Sequence, residues 1–338
     1  MKAVALKRYL PIDNPESLLD VVLDDPVPAG RDLLVEVKAV AVNPVDYKIR
    51  SPKDQVEQQP KVLGWDVAGV VRAVGPEATL FKPGDEVYYA GSLTRPGANS
   101  ELHVADERIV GRKPRNLGFA EAAALPLTTI TAWEALFDRL GIAKDGADAG
   151  KTLLIVGGAG GVGSIAIQLA KQLAKLRVIA TASRPESEKW VRELGANQVI
   201  DHNKPLAGEL KRVGIPEVDY VLIATALEPY FPQLADILKP QGGVSLIVSP
   251  TKPVDIGPLM SKSIFVAWEL MFTRSMYGTE DMIEQHRLLN ATAELVERGV
   301  LKTTVAHHYG KVTALNLRKA HETLEGGRAI GKIVLEGF

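Results

Sequence analysis

Leu153-Leu154-Ile155-Val156-Gly157-Gly158-Ala159-Gly160-Gly161-Val162-Gly163, residues 153–163, is an apolar run that ends in a glycine turn and passes directly into an amphipathic segment. Four consecutive apolar residues, Leu153 to Val156, predict a buried strand. Gly163 to Lys175 predicts a helix, with Ile165, Ile167, Leu169, Ala170 and Leu173 on one side and Lys171, Gln172 and Lys175 outward. A strand, a glycine turn and a helix in that order match the dinucleotide-binding fingerprint. In it Gly158 allows the tight turn, Gly160 lets the backbone approach a pyrophosphate, and Gly163 packs helix against strand. The amides of the turn, those of Ala159, Gly161 and Val162 included, together with the dipole of the helix N-terminus, suit an anionic ligand.

The chain continues in the same rhythm. Strands are predicted at Val178 to Ala182, Gln198 to Ile200, Tyr220 to Ala224, Val244 to Val248 and Ile264 to Trp268, with helices at Glu186 to Leu194 and Tyr230 to Leu238. Alternation of this kind argues for a parallel sheet covered on both faces. At the end of the second strand an NAD-binding fold places an acidic residue, about 20 residues beyond the glycines, for the ribose 2'-hydroxyl. Here the stretch reads Thr181-Ala182-Ser183-Arg184. A hydroxyl and a guanidinium stand where a carboxylate would repel a 2'-phosphate, so Ser183 and Arg184 point to NADPH. The plainer reading of Arg184 is an ordinary solvated surface charge.

Upstream the texture is different. Leu33 to Val42, Val67 to Val74, Asp85 to Tyr89 and Glu101 to Val104 are short β-rich runs separated by Pro- and Gly-containing turns, the pattern of a mostly antiparallel β domain. Phe119 to Leu125 and Thr131 to Leu140 read as helices leading out of it. Downstream, Thr279 to Arg298 reads as a long helix and Ile330 to Leu335 as a closing strand.

With 338 residues the chain exceeds the size of one core, so two domains are expected. Net charge is −1 with 24% charged residues, and no basic run interleaved with aromatics is present, which speaks against nucleic acid as a partner. No segment reaches the length of a membrane span. Met1 to Tyr9 carries cations without a following apolar stretch and cleavage site, so the cytoplasm is the expected compartment. The chain has no cysteine, which excludes disulfides, thiolate catalysis and cysteine-ligated metal. The six histidines show no metal-ligand spacing, and no metal is expected.

Several ordered motifs give the whole chain a resemblance to the medium-chain dehydrogenase/reductase superfamily, in its quinone oxidoreductase branch, often described as zinc-type alcohol dehydrogenase-like. They are Ala41-Val42-Asn43-Pro44-Val45-Asp46, Leu63-Gly64-Trp65-Asp66, Lys82-Pro83-Gly84-Asp85-Glu86-Val87, Ala124-Leu125-Pro126 through Thr131-Ala132-Trp133, the glycine turn, and Gly331-Lys332-Ile333-Val334-Leu335. The resemblance implies an α/β architecture: a GroES-like, mostly antiparallel β domain from residues 1–125 and 271–338, and a doubly wound Rossmann domain from 126–270, with the catalytic cleft at their junction. It further implies that zinc-dependent relatives would carry metal ligands where this chain has Asn43, Trp65 and Leu127. A metal-free reductase is therefore expected, because alcohol oxidation needs the metal to stabilise an alkoxide, whereas a quinone or enone accepts hydride into its own π-system.

By the same resemblance Asn43 lies near the nicotinamide ribose, Thr131 approaches the nicotinamide, and Lys48 passes a proton or binds substrate oxygen. Tyr47 is a second candidate donor and Asp46 a residue that orients one of them; the alternative for Asp46 and Lys48 is a structural ion pair at a turn. For Trp65 and Asp66 packing roles are expected, the indole filling the space of the metal and Asp66 either capping a turn or pairing with a cation. The reading is an NADPH-dependent reductase of small-molecule quinones, with enone or alkenal reduction second and a non-catalytic NADPH-sensing or RNA-binding module third. The apolar segment from Trp268 to Arg274 suits the lining of a substrate pocket, and a homodimer through the edge strand Ile264 to Trp268 is expected.

Overall fold

The chain begins on a strand whose residues Ala3 to Leu6 are all buried. In the computed structural model, which describes residues 1–338, β1 (Lys2–Tyr9) pairs antiparallel with β2 (Leu19–Val22). Next comes β3 (Asp32–Val42), whose first residues alternate between the core and the surface and whose last four, Ala39 to Val42, are all buried. A strand with one wet face has become one covered on both faces. Asn43 then breaks the strand, and Pro44 starts the short helix α1 (Pro44–Arg50). The antiparallel framework is completed by β4 (Lys53–Val62), β5 (Val67–Val74), β6 (Glu86–Tyr89), β7 (Leu102–Asp106) and β8 (Val110–Arg112). Two helices follow, α2 (Phe119–Ala123) and α3 (Pro126–Trp133), and α3 runs directly into a π-helical turn at Glu134–Arg139.

The regular β/α series then starts. Its elements are β9 (Thr152–Val156), α4 (Gly161–Gln172), β10 (Arg177–Thr181), α5 (Pro185–Glu193), β11 (Gln198–Ile200), α6 (Leu206–Arg212), β12 (Val218–Ile223), α7 (Leu234–Ile237), β13 (Leu238–Leu246) and β14 (Phe265–Trp268). Every pairing among these strands is parallel, in the order β11-β10-β9-β12-β13-β14. The order winds outward in both directions from β9, the doubly wound arrangement of dinucleotide-binding sheets. All five residues of β9 are buried, as the first strand of such a sheet requires.

After β14 the chain adds α8 (Thr273–Tyr277), α9 (Ile283–Glu297), β15 (Val305–His308), α10 (Ala314–Glu325) and β16 (Lys332–Glu336). β16 lies antiparallel to β3, with Ile333 opposite Val42, so the C-terminal strand joins the N-terminal sheet. That sheet has the order β15-β16-β3-β5-β6-β8, with β7 also paired to β3. Two compact units result, Met1–Ile130 with Phe272–Phe338, and Thr131–Met271, and the division falls inside α3. No helix is long and apolar enough to cross a membrane.

Some local expectations need correction. The helix predicted at Tyr230 to Leu238 is a 3-10 turn followed by the single α-turn of α7, because Leu238 is already taken by β13, where it pairs with Val218. Helix α4 stops short of Lys175, whose left-handed backbone (φ 56) ends the element. The expected helix Thr131 to Leu140 is split by the π turn, and α1, α6 and α10 were not anticipated.

The π turn presents Glu134 beside Glu269, the residue after β14. Both are buried, at 0% and 3% exposure, and Arg139 meets Glu269 at 2.8 Å and Glu134 at 3.7 Å. Burial and the neighbouring Glu134 carboxyl hold the Glu269 carboxyl far above the usual carboxylate range. The folded protein keeps a proton there that the unfolded chain releases above its ordinary value of 4.5. Stability drawn from this site is thus greatest in acid and falls as pH rises toward the folded-state value. Glu269→Gln removes that cost and should raise Tm by about 2–4 °C at pH 8, roughly 1 kcal/mol, with the gain shrinking toward pH 5. Calorimetric melts across that range, showing a pH-independent or negative shift, would refute the proton-sharing arrangement.

Candidate active site

The glycine turn is built by exclusion. Gly157, one residue before the expected start, carries the left-handed backbone (φ 86) that makes the turn, so the tight-turn role assigned to Gly158 belongs to its neighbour. Gly158 instead lies against β10: a Cβ there would meet that of Ala180 at 2.8 Å. At Gly163 a Cβ would stand 2.3 Å from the carbonyl oxygen of Gly157, which accounts for its role in closing helix on strand. Gly160 precedes the first turn of α4 and has only the Gly157 oxygen, at 3.5 Å, near the place of a side chain. The turn therefore offers a bare cradle at the N-terminus of a 12-residue helix, and a dinucleotide pyrophosphate fits it. Ala159, Gly161 and Val162 line that cradle with backbone. Thr181 at the end of β10 braces it, its hydroxyl accepting from the Gly157 amide at 2.9 Å. Ser183 is exposed and Arg184 half-buried just beyond, and Arg184 caps α5: its amide donates to the Ser187 hydroxyl, which donates back to the Arg184 carbonyl. Thr131 is buried on α3.

In the other unit Asn43, Asp46, Asp66 and Leu127 converge with a residue whose role the sequence did not suggest, Lys332. Its ammonium, on the first residue of β16, is 3% exposed and donates to the Val42 carbonyl at 3.0 Å, to Asp66 Oδ2 at 2.8 Å and to Asn43 Oδ1. Asp66 is fully buried. It accepts from Asn43 Nδ2 and from the Leu127 backbone amide, each at 2.8 Å. Burial pushes the Asp66 carboxyl up, and the Lys332, Asn43 and Leu127 donors oppose the shift. Only a carboxylate accommodates three donors without offering a proton in return. Lys332 was quoted in the closing motif only as a family marker. A Lys between Gly and an apolar strand is the one available signal, and it does not show burial.

This arrangement changes the reading of Asn43. Its amide is spent on Lys332, Asp66 and the Ala41 carbonyl, and the residue is 1% exposed. The side chain stands in a buried charge network rather than on an open binding surface. Asp46 caps α1 by accepting from the Asn43 amide at 2.7 Å, while its other oxygen has no partner. Burial pushes its carboxyl to about 7, against the lowering effects of the Asn43 amide and Lys332. It is a structural cap, with no ion pair to Lys48. Tyr47 is half-buried, and burial with the Glu325 charge raises its phenol; partial desolvation lowers the ammonium of Lys48. Arg50, also on α1, is buried and bonds to Glu325, to the Leu10 carbonyl at 2.5 Å and to His321 Nδ1 at 3.3 Å.

Zinc does not fit these residues. Trp65 is buried, donates its indole N–H to the Ser92 carbonyl at 3.1 Å and packs edge-on against Phe272. Leu127 contributes a backbone amide, which is a donor. Of the two carboxyls here, Asp66 already holds an ammonium and Asp46 is engaged in capping α1. Buried His103 lies between the Tyr89 hydroxyl and the Pro96 carbonyl, and burial lowers it to about 4, a neutral imidazole satisfied by protein.

A doubly wound sheet with a glycine cradle, joined to an antiparallel β unit formed from both chain termini, defines a nicotinamide-dependent oxidoreductase. The comparisons agree. Residues 29–133 match the alcohol dehydrogenase GroES-like domain and residues 194–335 the zinc-binding dehydrogenase domain. A zinc-type alcohol dehydrogenase-like protein of Staphylococcus epidermidis is 39% identical over 337 residues, covering 99% of each chain. A crystal structure from Rhizobium etli, provisionally described as a zinc-dependent alcohol dehydrogenase, is 54% identical with a TM-score of 0.95, covering 100% of this chain and 98% of that one. The quinone oxidoreductase of Escherichia coli, solved with NADPH, is 27% identical with a TM-score of 0.83, covering 99% and 100%. The chain belongs to the medium-chain dehydrogenase/reductase superfamily and is quinone oxidoreductase-like.

The buried pair makes a direct prediction. Lys332→Met leaves Asp66 charged and uncompensated, and should cost about 3–5 kcal/mol. Adding Asp66→Asn removes the orphaned charge and should return at least half of the loss in Tm. Equal Tm values for the single and double variants would show that the pair is not the organising contact.

Proposed function

We propose that the protein is a zinc-independent reductase that transfers hydride from NADPH to a quinone or related conjugated carbonyl compound. One observation carries this reading: where zinc-dependent members of the family would hold a metal, this chain has the Asn43 amide and the Leu127 N–H bonded into the Lys332–Asp66 pair, and a Trp65 indole spent on the Ser92 carbonyl. A fixed ammonium bound to Asp66 cannot polarise an alcohol as a Lewis acid does, so acceptors that delocalise charge themselves are the suitable substrates. The preference for NADPH is supported by Ser183 and Arg184 beyond β10, where an NAD-binding fold would carry a carboxylate.

When bound, the reduced nicotinamide supplies the hydride. A quinone then needs one proton to become a hydroquinone, and an enone needs one to become the saturated carbonyl. Among the three candidates on α1, Lys48 is the suitable donor, because its lowered ammonium lies closer to working pH, while the phenol of Tyr47 is displaced the other way. Asp46 serves as a positioning residue: it fixes the first turn of α1, on which Tyr47 and Lys48 stand. Enone and alkenal reduction is the second reading and uses the same proton. A non-catalytic NADPH sensor is distinguished by tight binding without turnover.

The partner in solution is a second copy of the chain. β14 has a neighbour on one side only, β13, and presents Phe265 and Trp268 at 40% and 51% exposure, with Leu270 two residues beyond it at 49%. An edge strand with exposed aromatics suits antiparallel addition of its own copy. Light scattering should return about twice 36.5 kDa, and a monomer mass would refute the dimer.

Following NADPH absorbance with ortho-quinones, para-quinones and alkenals, with and without chelator, tests the chemistry. Turnover in at least one class, unchanged by chelation, is expected; activity lost to chelator and restored by zinc would overturn the proposal. Lys48→Met should lower kcat by about 100-fold if Lys48 delivers the proton. Arg184→Glu should raise the KM for NADPH by about tenfold or more and leave that for NADH within about twofold.

A further inference from the structure

We propose that a cavity in the β unit, beside the supports of Trp65, binds a small aromatic monocarboxylate. Its volume is about 150 Å³, the size that admits a single six-membered ring. Asn43, Asp66, Lys332 and the residues of α1 take no part in its lining, so it is separate from the cluster described above. The wall comes from three segments: the turn after β6, the end of β7 with the 3-10 turn Glu107–Ile109, and the stretch from α8 to the start of α9. Two of these segments hold Trp65. The Ser92 carbonyl accepts from the Trp65 indole at 3.1 Å and from the Arg95 amide at 3.2 Å. Phe272 packs edge-on against the same indole, and its carbonyl accepts from the Ser275 hydroxyl at 3.1 Å. A ligand in contact with Ser92 and Ser275 therefore bears on both supports of the indole.

The lining selects the ligand. Ala105, Ile109 and Met282 are buried and give an apolar floor, and the thioether of Met282 favours an aromatic edge over an aliphatic one. Arg95 and Arg108, at 36% and 40% exposure, carry the wall out to solvent. Each guanidinium is already fixed by an aspartate. Arg95 donates to the two Asp32 oxygens at 2.7 and 3.0 Å, and Arg108 to the two Asp106 oxygens at 3.0 and 2.8 Å. A guanidinium has five N–H donors and a bidentate carboxylate takes two, so three on each are left for a ligand. Because the forks are held in advance, binding an oxyanion costs little in side-chain ordering. Asp106 is the one anion in the lining and Asp32 lies outside it, so two cations against one anion leave an excess of one positive charge. Asp106 also accepts from the Arg108 amide at 2.9 Å, which commits its oxygens to its own turn. A monoanion balances that excess. A ring on the apolar floor, with its carboxylate at the guanidinium rim, satisfies volume, polarity and charge together, and a planar guanidinium also stacks on an aromatic face.

Titration calorimetry with benzoate, in the absence of cofactor and acceptor, tests the site independently of the reductase reading. One equivalent should bind with a Kd of about 1 mM or below. Benzyl alcohol has the ring without the charge and acetate the charge without the ring, and each should bind at least about tenfold more weakly. Ala105→Leu fills the floor and should weaken benzoate by about tenfold or more, with a cooperative melt reporting an intact fold. Arg108→Lys keeps the charge but loses the fork, and should weaken benzoate by about tenfold with benzyl alcohol unchanged. No saturable heat up to about 20 mM benzoate would overturn the proposal. So would undiminished benzoate binding in both variants, because the ligand would then sit elsewhere on the protein.

Discussion

The contact between Lys332 and Asp66 is the one on which the N- and C-terminal parts of the first unit depend. It joins the start of β16, the end of β3, the entry to β5 and, through the Leu127 amide, the start of α3. Two opposite charges at 2.8 Å in a dry interior attract strongly, but removing both from water costs several kcal/mol each. The pair holds because nearly every donor and acceptor around it is used: three acceptors on the ammonium, three donors on the carboxylate. Geometry of that completeness selects one arrangement of four segments. It explains why a strand 290 residues downstream of Val42 is placed beside it and not elsewhere on the sheet.

From that contact the site of α1 follows. Asn43 can turn the chain out of β3 because its amide is gripped by both members of the pair. Asp46 can begin the helix because the backbone N–H of Asn43, unlike its side-chain amide, is left free for Asp46 to accept from. α1 is only seven residues long and would not persist alone. Its ends are fixed by Asp46 at the start and Arg50 at the finish, the latter buried against α10. Tyr47 and Lys48 are thus carried on a short helix pinned at both ends.

Periodicity made the parallel sheet legible almost strand by strand, since a strand buried on both faces is a continuous apolar run and its glycine turn has few other uses. The β unit was legible as a class, through turn spacing, but not in its pairing. β1, β4 and β15 gain their partners from distant segments, and no local pattern encodes that. Lys332 was invisible for a related reason: an isolated lysine is ordinarily solvated, and only the tertiary arrival of Asp66 and Asn43 makes its burial affordable. The assignment of Gly158 to the tight turn failed by one residue because the motif's spacing does not say which glycine takes positive φ. Gly157, outside the motif, does so.

The absence of cysteine and the presence of the ion pair are two sides of one constraint. A site that once needs a divalent cation to hold negative charge can do without it only if the charge is balanced from within the chain. Lys332 does this with a side chain that is covalently fixed, while Trp65 fills volume and Leu127 supplies an amide. The net result is a Lys332–Asp66 pair whose charges balance and whose hydrogen bonds are filled from within the chain. On the function proposed above, electron demand comes from the acceptor itself, and the protein's part is orientation and one proton. Quinones and conjugated carbonyls meet that demand, whereas a simple alcohol, whose oxidation requires an alkoxide to be stabilised, does not.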